Sequence, residues 1–248
     1  MAEPGKQGGD PQGAIRAERR TFRREPAPCR REALMQAALE MIAEAGVEGA
    51  TVRAIAGRAQ VTQGLIRHYF RSKDELILAA YDHHMTRMTG ASFAAAGDET
   101  DGPAAGAGTT GAPARARLAR FVAASLGPPV AAPAAVTLWA GFIARLGHDP
   151  GMRAIHARTY HDFRDRLERL IAAALAEAGR PADTQATRRL AIACNGVIDG
   201  LWLEGGALPE AFAPGELPAV GCGAVGAILG LDLSGRAATE AARKRKTS

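Results

Sequence analysis

Between Thr51 and Lys73 the sequence concentrates side chains suited to gripping a polyanion and reading it. Thr62, Gln63 and Gly64 open one predicted short helix, and Arg67, His68 and Tyr69 follow a turn later. An amide such as Gln63 can pair with the N6/N7 edge of adenine, and a guanidinium such as Arg67 can fork onto O6/N7 of guanine. Glycine at position 64 lets the start of the helix approach a groove floor closely. Thr51 and Ser72 mark two further helix starts, whose free N–H groups suit a phosphate. Arg53, Tyr69 and Lys73 add side-chain donors for the same purpose. From Ala50 to Lys73 there are five basic residues and no acid. A solvated surface helix would explain the charge alone. It would not need Gln63-Gly64 at a capped helix start.

Other chemistries fare worse. Gly106–Gly111 and Gly221–Gly226 both match G-x-G-x-x-G, yet neither stands between a strand and a helix, as a dinucleotide site requires. Small residues for close helix packing explain the second match better. His83 and His84 are adjacent and diverge by about 100° on a helix, and His156 and His161 miss the i, i+4 spacing of a zinc pair. No metal site and no cofactor site is expected. There is no nucleophile elbow, no phosphate-binding loop and no nucleophile with a recognisable base, so no enzyme is predicted. The C-terminal half does gather aromatic rings: Trp139, Phe142, Tyr160, Phe163 and Trp202. Core packing accounts for such rings in most helical proteins. The functional alternative is a pocket for a cation such as a quaternary ammonium, with Asp162, Asp165 or Asp199 as counter-charge.

These side chains need scaffolding, and the hydrophobic spacing supplies it. Leu34, Ala37, Ala38, Met41, Ile42 and Ala45 follow a helical period, with Gly46 as the natural stop. Thr51 caps a short helix carrying Val52, Ile55, Ala56 and Ala59. Thr62 caps the next, anchored from behind by Val61, Ile66 and Phe70. Ser72 with Glu75 forms a capping box opening a fourth helix. A long helix followed by two short ones across a tight turn is a helix-turn-helix arrangement. Further on, helices are predicted over 115–126, 134–146, 149–178, from Asp183 to about Gly205, and over 216–231. No strand pattern emerges. The predicted fold is all-α, a three-helix N-terminal domain plus a larger C-terminal helical domain.

Composition sets the outer bounds. The chain has 248 residues, 47% of them hydrophobic, enough for a real core. Cys29, Cys194 and Cys222 lie far apart, and the start lacks a signal peptide, so a cytoplasmic, membrane-free protein is expected. The net charge of +5 is uneven: residues 14–31 hold seven arginines against two glutamates. The segments predicted are a flexible basic arm over 1–28, a helix-turn-helix domain over 29–73 and a larger helical domain over 74–232. A low-complexity loop at 97–114 interrupts the last of these, and a basic tail at 233–248 follows it.

The run Thr51-Val52-Arg53-Ala54-Ile55-Ala56, then Val61-Thr62-Gln63-Gly64-Leu65-Ile66, then Tyr69-Phe70 and Ser72-Lys73-Asp74-Glu75-Leu76 resembles the DNA-binding domain of TetR-type transcriptional regulators. The resemblance implies all-α homodimers on palindromic double-stranded DNA, mostly repressors released by a small effector, with 29–73 as the DNA-binding domain and 74–232 as the effector-binding and dimerisation domain. It also implies phosphate-binding roles for Tyr69 and Lys73. It departs at Gln60, where the family often has glycine in the turn; a left-handed non-glycine there costs about 1–2 kcal/mol. Gly64 to Lys73, with Val197-Ile198-Asp199-Gly200-Leu201-Trp202-Leu203-Glu204, is further similar to the betaine-pathway (BetI-like) repressors, which respond to choline. Two rivals are a helical module binding an acidic partner and an enzyme using the C-terminal pocket. The first has no use for Gln63-Gly64, and the second lacks a catalytic constellation.

Overall fold

The computed structural model describes residues 27–97 and 112–234. The expected arm up to residue 26, most of the low-complexity loop with the first glycine hexad, and the tail from residue 235 lie outside the described residues. Among the described residues every regular element is helical.

α1 (Ala27–Gly49) buries Leu34, Ala37, Ala38 and Ile42 as spaced, and also Met35 and Leu39. Ala45, expected on that face, is exposed. Gly46 does not end the helix. It kinks it, with φ 71° and ψ 174°, and one more turn buries Val47 against the core. α2 (Val52–Arg58) and α3 (Gln63–Tyr69) are too short to persist on propensity, so their caps matter. Thr51 Oγ1 accepts from the Ala54 N–H at 3.1 Å and Thr62 Oγ1 from Leu65 N–H at 3.3 Å. Gln60 takes the left-handed φ of 54° that closes the turn between them, where Val61 N–H donates to Ala56 C=O at 2.9 Å.

α4 (Lys73–Ala95) starts on Ser72, whose Oγ accepts from Glu75 N–H at 3.1 Å. The expected capping box is only half formed: Glu75 Oε2 accepts from the N–H of Arg71 at 2.7 Å, one residue before the cap. α5 (Ala114–Ser125), α6 (Pro133–Ile143), α7 (Pro150–Glu177), α8 (Thr184–Ala207) and α9 (Glu216–Leu229) complete the chain. Asp149 and Asp183 cap α7 and α8 through Met152 and Ala186 N–H groups.

Two cores result. The first joins Leu34, Ile55, Ile66, Phe70 and Tyr81 to Leu138, Phe142 and Met152 of the later helices. The second is built on Phe93, Phe121, Leu170, Ile198 and Val225. α4 runs through both, so it mechanically connects the short N-terminal helices to the bundle. Gly221 and Gly226, from the second glycine hexad, lie buried in α9. A Cβ on Gly221 would come 2.1 Å from Leu126 Cδ1, and one on Gly226 would come 2.6 Å from Leu231 O. Close packing demands these glycines.

Candidate nucleic-acid interface and effector pocket

The caps place α3 so that its two sides differ. Ile66 faces the core, while Gln63, Gly64, Arg67 and His68 are exposed along the outer face. A Cβ on Gly64 would meet only Thr62 Oγ1, at 3.8 Å. Nothing inside the molecule demands that glycine, so the space it leaves is useful only toward something outside. Tyr69 is half-buried, its ring edge-on to His68 at 5.2 Å. Lys73 Nζ lies 3.4 Å from Glu48 C=O, and Arg53 is exposed on α2 beside Thr51.

The basic segment is less uniformly available than its sequence suggests. Arg58 turns back onto α1, forking onto Glu44 with its closer contact at 2.5 Å and reaching Glu40 at 3.2 Å. The guanidinium holds the Glu44 carboxyl below the usual carboxylate range. Arg53, Arg67 and Arg71 make no ion pair among the described residues.

The second site is a cavity of about 370 Å³ walled by α4, α5, α6, α7 and α8 and the turn before α6. Both tryptophans of the chain line it. Trp139 and Trp202 meet edge to face at 5.7 Å, and Trp202 is fixed by donating Nε1–H to Val130 C=O at 2.8 Å. Tyr160, Phe163 and Asp199 also line it. Tyr160 donates its hydroxyl to Asp199 Oδ2 at 2.6 Å, and Asn195 Nδ2 donates to both of those oxygens, at 2.6 and 2.9 Å. Burial of its carboxyl end pushes the Asp199 pKa up, against the pull of these donors. Burial and the neighbouring Asp199 hold the Tyr160 phenol at about 12, so it stays a donor at neutral pH.

His156 stacks on Tyr160 at 5.4 Å, and its Nδ1 meets the Tyr81 hydroxyl of α4 at 2.8 Å. Burial lowers the His156 pKa and raises that of Tyr81 to about 12. The imidazole tautomer sets which of the two donates in this pair. A continuous chain of contacts therefore leads from the cavity to the core beneath the short helices.

Three expectations change here. Phe142 does not reach the cavity; it is fully buried in the first core, 4.5 Å from Tyr81. Trp139 and Phe142 differ by about 60° around their helix, and α6 lies between the two cores, so that angle separates them. Asp162 and Asp165 are exposed in a separate polar cleft with Arg158 and Arg169, which leaves Asp199 as the acid in the cavity wall. His156, weighed in the sequence only as a zinc ligand, and Asn195, unremarked there, complete the polar network. Each has one partner four residues on, Tyr160 for His156 and Asp199 for Asn195, but the partners that tie them across helices lie 75 and 35 residues away, beyond any local spacing. No cluster of three potential metal ligands occurs among the described residues, and no described helix is long and apolar enough to cross a membrane.

Comparison with known proteins identifies the family of both halves of the chain. Residues 34–80 match the profile of bacterial regulatory proteins of the tetR family, and 114–230 match that of the BetI-type transcriptional repressor C-terminal domain. The chain is 32% identical over 176 residues to the HTH-type transcriptional regulator BetI of Burkholderia thailandensis, covering 71% of this chain and 81% of that one. A transcriptional regulator from Pseudomonas aeruginosa PAO1 superimposes with a TM-score of 0.70 at 28% identity, covering 85% of this chain and 95% of that one. A regulator from Saccharomonospora viridis, solved in complex with choline, shares the fold at 20% identity and a TM-score of 0.55, over 70% of this chain and 83% of that one. With its capped helix-turn-helix and its helical bundle, the chain belongs to the TetR family of DNA-binding transcriptional regulators and carries that family's BetI-type C-terminal domain.

Proposed function

We propose that this protein, acting in the cytoplasm by binding rather than catalysis, is a homodimeric repressor. It holds a palindromic operator until a quaternary ammonium compound of the choline class enters the C-terminal cavity. Gln63 and Arg67 read base edges, with Thr62, Gly64 and His68 along the same face of α3. Thr51, Arg53, Tyr69 and Lys73 hold the flanking phosphates. Two copies are needed because a helix-turn-helix reads one half-site, and the second half-site lies about one helical turn away.

The observation that carries the effector class is the joint presence of both tryptophans, Tyr160, Phe163 and Asp199 around one cavity. Ring faces attract a quaternary ammonium by about 0.5–2 kcal/mol each, and the Asp199 carboxylate adds a counter-charge. The BetI name of the Burkholderia relative and the choline bound by the Saccharomonospora protein support the same class. Occupancy displaces Tyr160 and His156, and through the Tyr81 hydrogen bond it moves α4, which carries α3. An inducer must bind the released state better, typically by 1–3 kcal/mol.

The test titrates choline, and separately its neutral isostere 3,3-dimethylbutan-1-ol, into the complex with operator DNA mapped by footprinting upstream of the protein's own gene. Choline should release the DNA and the isostere should not. Release by the isostere alone, or by neither, removes the cation reading and leaves the regulator itself intact.

A further inference from the structure

Three side chains tie α7 to α8 at the cavity wall. Asn195 and Asp199 stand four residues apart on α8, and Tyr160 meets both from α7. Asn195 is only 4% exposed. Its Nδ2 donates to the Tyr160 hydroxyl oxygen at 2.6 Å and to Asp199 Oδ2 at 2.9 Å, and Tyr160 donates to that same Oδ2 at 2.6 Å. The reverse setting of the amide would press its carbonyl oxygen against the carboxylate, so the direction of these bonds is fixed. Both donors to Asp199 end on one oxygen. No donor among the described residues reaches Oδ1, which leaves that oxygen for a cation.

Packing alone does not account for an amide at position 195. Its Oδ1 is buried without a hydrogen-bond partner among the described residues, and an unmet buried acceptor is destabilising. A leucine of similar size would fill the place without that cost. What leucine could not supply are the two Nδ2 donors. Tyr160 is a less durable partner for Asp199, because it belongs to α7 and is displaced on occupancy in the reading above. Asn195 rides on the same helix as Asp199, one turn away, so its bond survives that movement.

We propose that Asn195 is the positioning residue of the effector site: its amide pins Oδ2 of Asp199 and leaves Oδ1 to meet the cation of the effector. The proposal rests on the cation reading above. Donors to a carboxylate favour its ionised form, and burial opposes them. The other groups that bear on Asp199 are Tyr160, Arg164 and His156, all on α7. Arg164 lies over the Tyr160 ring at 5.4 Å and keeps its charge at every working pH, while burial lowers the His156 pKa. α4, α5 and α6 bring no charged side chain to the cavity wall, and α9 has none between Leu217 and Leu229. Without the Asn195 donors the balance tips toward a protonated Asp199, which holds a cation poorly.

Trp139 and Trp202 line the cavity, so tryptophan emission of the full chain without DNA reports binding directly. Choline and 3,3-dimethylbutan-1-ol are titrated into wild type, Asn195→Leu, Asn195→Ala and Tyr160→Phe between pH 5 and pH 9. The alanine variant stands in if circular dichroism shows that leucine disturbs the fold. Both Asn195 variants should bind choline about tenfold more weakly at pH 7, the loss of one hydrogen bond to a charged group, and bind the neutral isostere as wild type does. Their choline affinity should begin its acid-side fall at a higher pH than that of wild type. Tyr160→Phe should lose less, since occupancy gives up that bond in any case. The Tyr160 phenol, at about 12, stays protonated over this range and does not confuse the profile. Equal losses for choline and the isostere would make Asn195 a packing residue, and an unmoved acid limb would show that it does not act through Asp199; either result overturns the proposal. A larger loss in Tyr160→Phe than in the Asn195 variants overturns it in favour of Tyr160. Wild-type protein that binds choline no better than the variants removes the role alone. Wild-type protein that binds neither compound removes the cation reading and the role together.

Discussion

The reading surface and the cavity are built in opposite ways. The reading surface draws on 23 consecutive positions, Thr51 to Lys73, and each of its helices starts on a hydroxyl that accepts from an N–H three residues later. Its functional side chains point outward. The cavity draws on walls from Met85 to Leu203, held by contacts such as Tyr160 to Asp199 and Trp202 to Val130. Most of its functional side chains are at least half buried. Chemistry performed on a large external polyanion can be assembled from neighbours in sequence. Enclosing a small molecule requires helices that meet only after the chain has folded. The two halves should consequently respond to different perturbations.

Salt should separate them most widely. If six to ten phosphates are contacted per dimer, operator affinity should fall by about 10³–10⁵-fold between about 50 and 200 mM salt. Choline binding in the enclosed cavity should barely change, because buried interactions are little screened. The Arg58 ion pairs make the lower end of the contact count the better expectation. A flat salt dependence of DNA binding would remove the electrostatic contrast.

Acid should act on the middle of α4 and not on the reading face. Burial, helped by the positive charges of His83 and Arg87, lowers the His84 pKa from 6.5 to about 4, and its Nε2 has no hydrogen-bond partner among the described residues. The unfolded chain then binds more protons than the folded one between those values. Stability is fully present above about pH 6.5 and is lost as pH falls toward 4, by up to about 3 kcal/mol. Urea unfolding at pH 7 and pH 5 should show that loss in wild-type protein, and much less of it in His84→Leu. Equal losses in both would acquit His84.

The smallest effects should divide the reading surface itself. Arg67→Ala or Gln63→Ala should cost about 1–3 kcal/mol on the operator and relax preference at one base pair per half-site. Tyr69→Phe and Lys73→Ala should weaken binding to all sequences alike, without altering the preferred one. Binding arrays of single-base operator variants distinguish these outcomes, and equal losses on cognate and random DNA for all four would place α3 outside the major groove.

Where the contacts are local, the sequence is a sound guide. Thr51, Thr62 and Asp183 all cap as their spacing implies, because a cap joins groups three residues apart. Gln60 adopts the left-handed conformation, φ 54°, at the turn position where the resembled family often has glycine. Even here tertiary packing intervenes. Gly46 kinks α1 without ending it because Val47 gains burial beyond it, and Glu75 satisfies Arg71 in place of Ser72.

By itself the sequence determined the all-helical fold, the order of the capped helices and the exposed polar side chains along α3. Each of these follows from period, capping chemistry and charge within a few turns of chain. Only the tertiary structure decided that Arg58 is spent on α1, that Phe142 joins the first core while Trp139 enters the cavity, and that His156 and Asn195 belong to its wall. Those outcomes depend on which helices pack together and at what angle. A residue's own neighbours in sequence carry no record of that, because the energy involved is the burial of surfaces that are tens of residues apart.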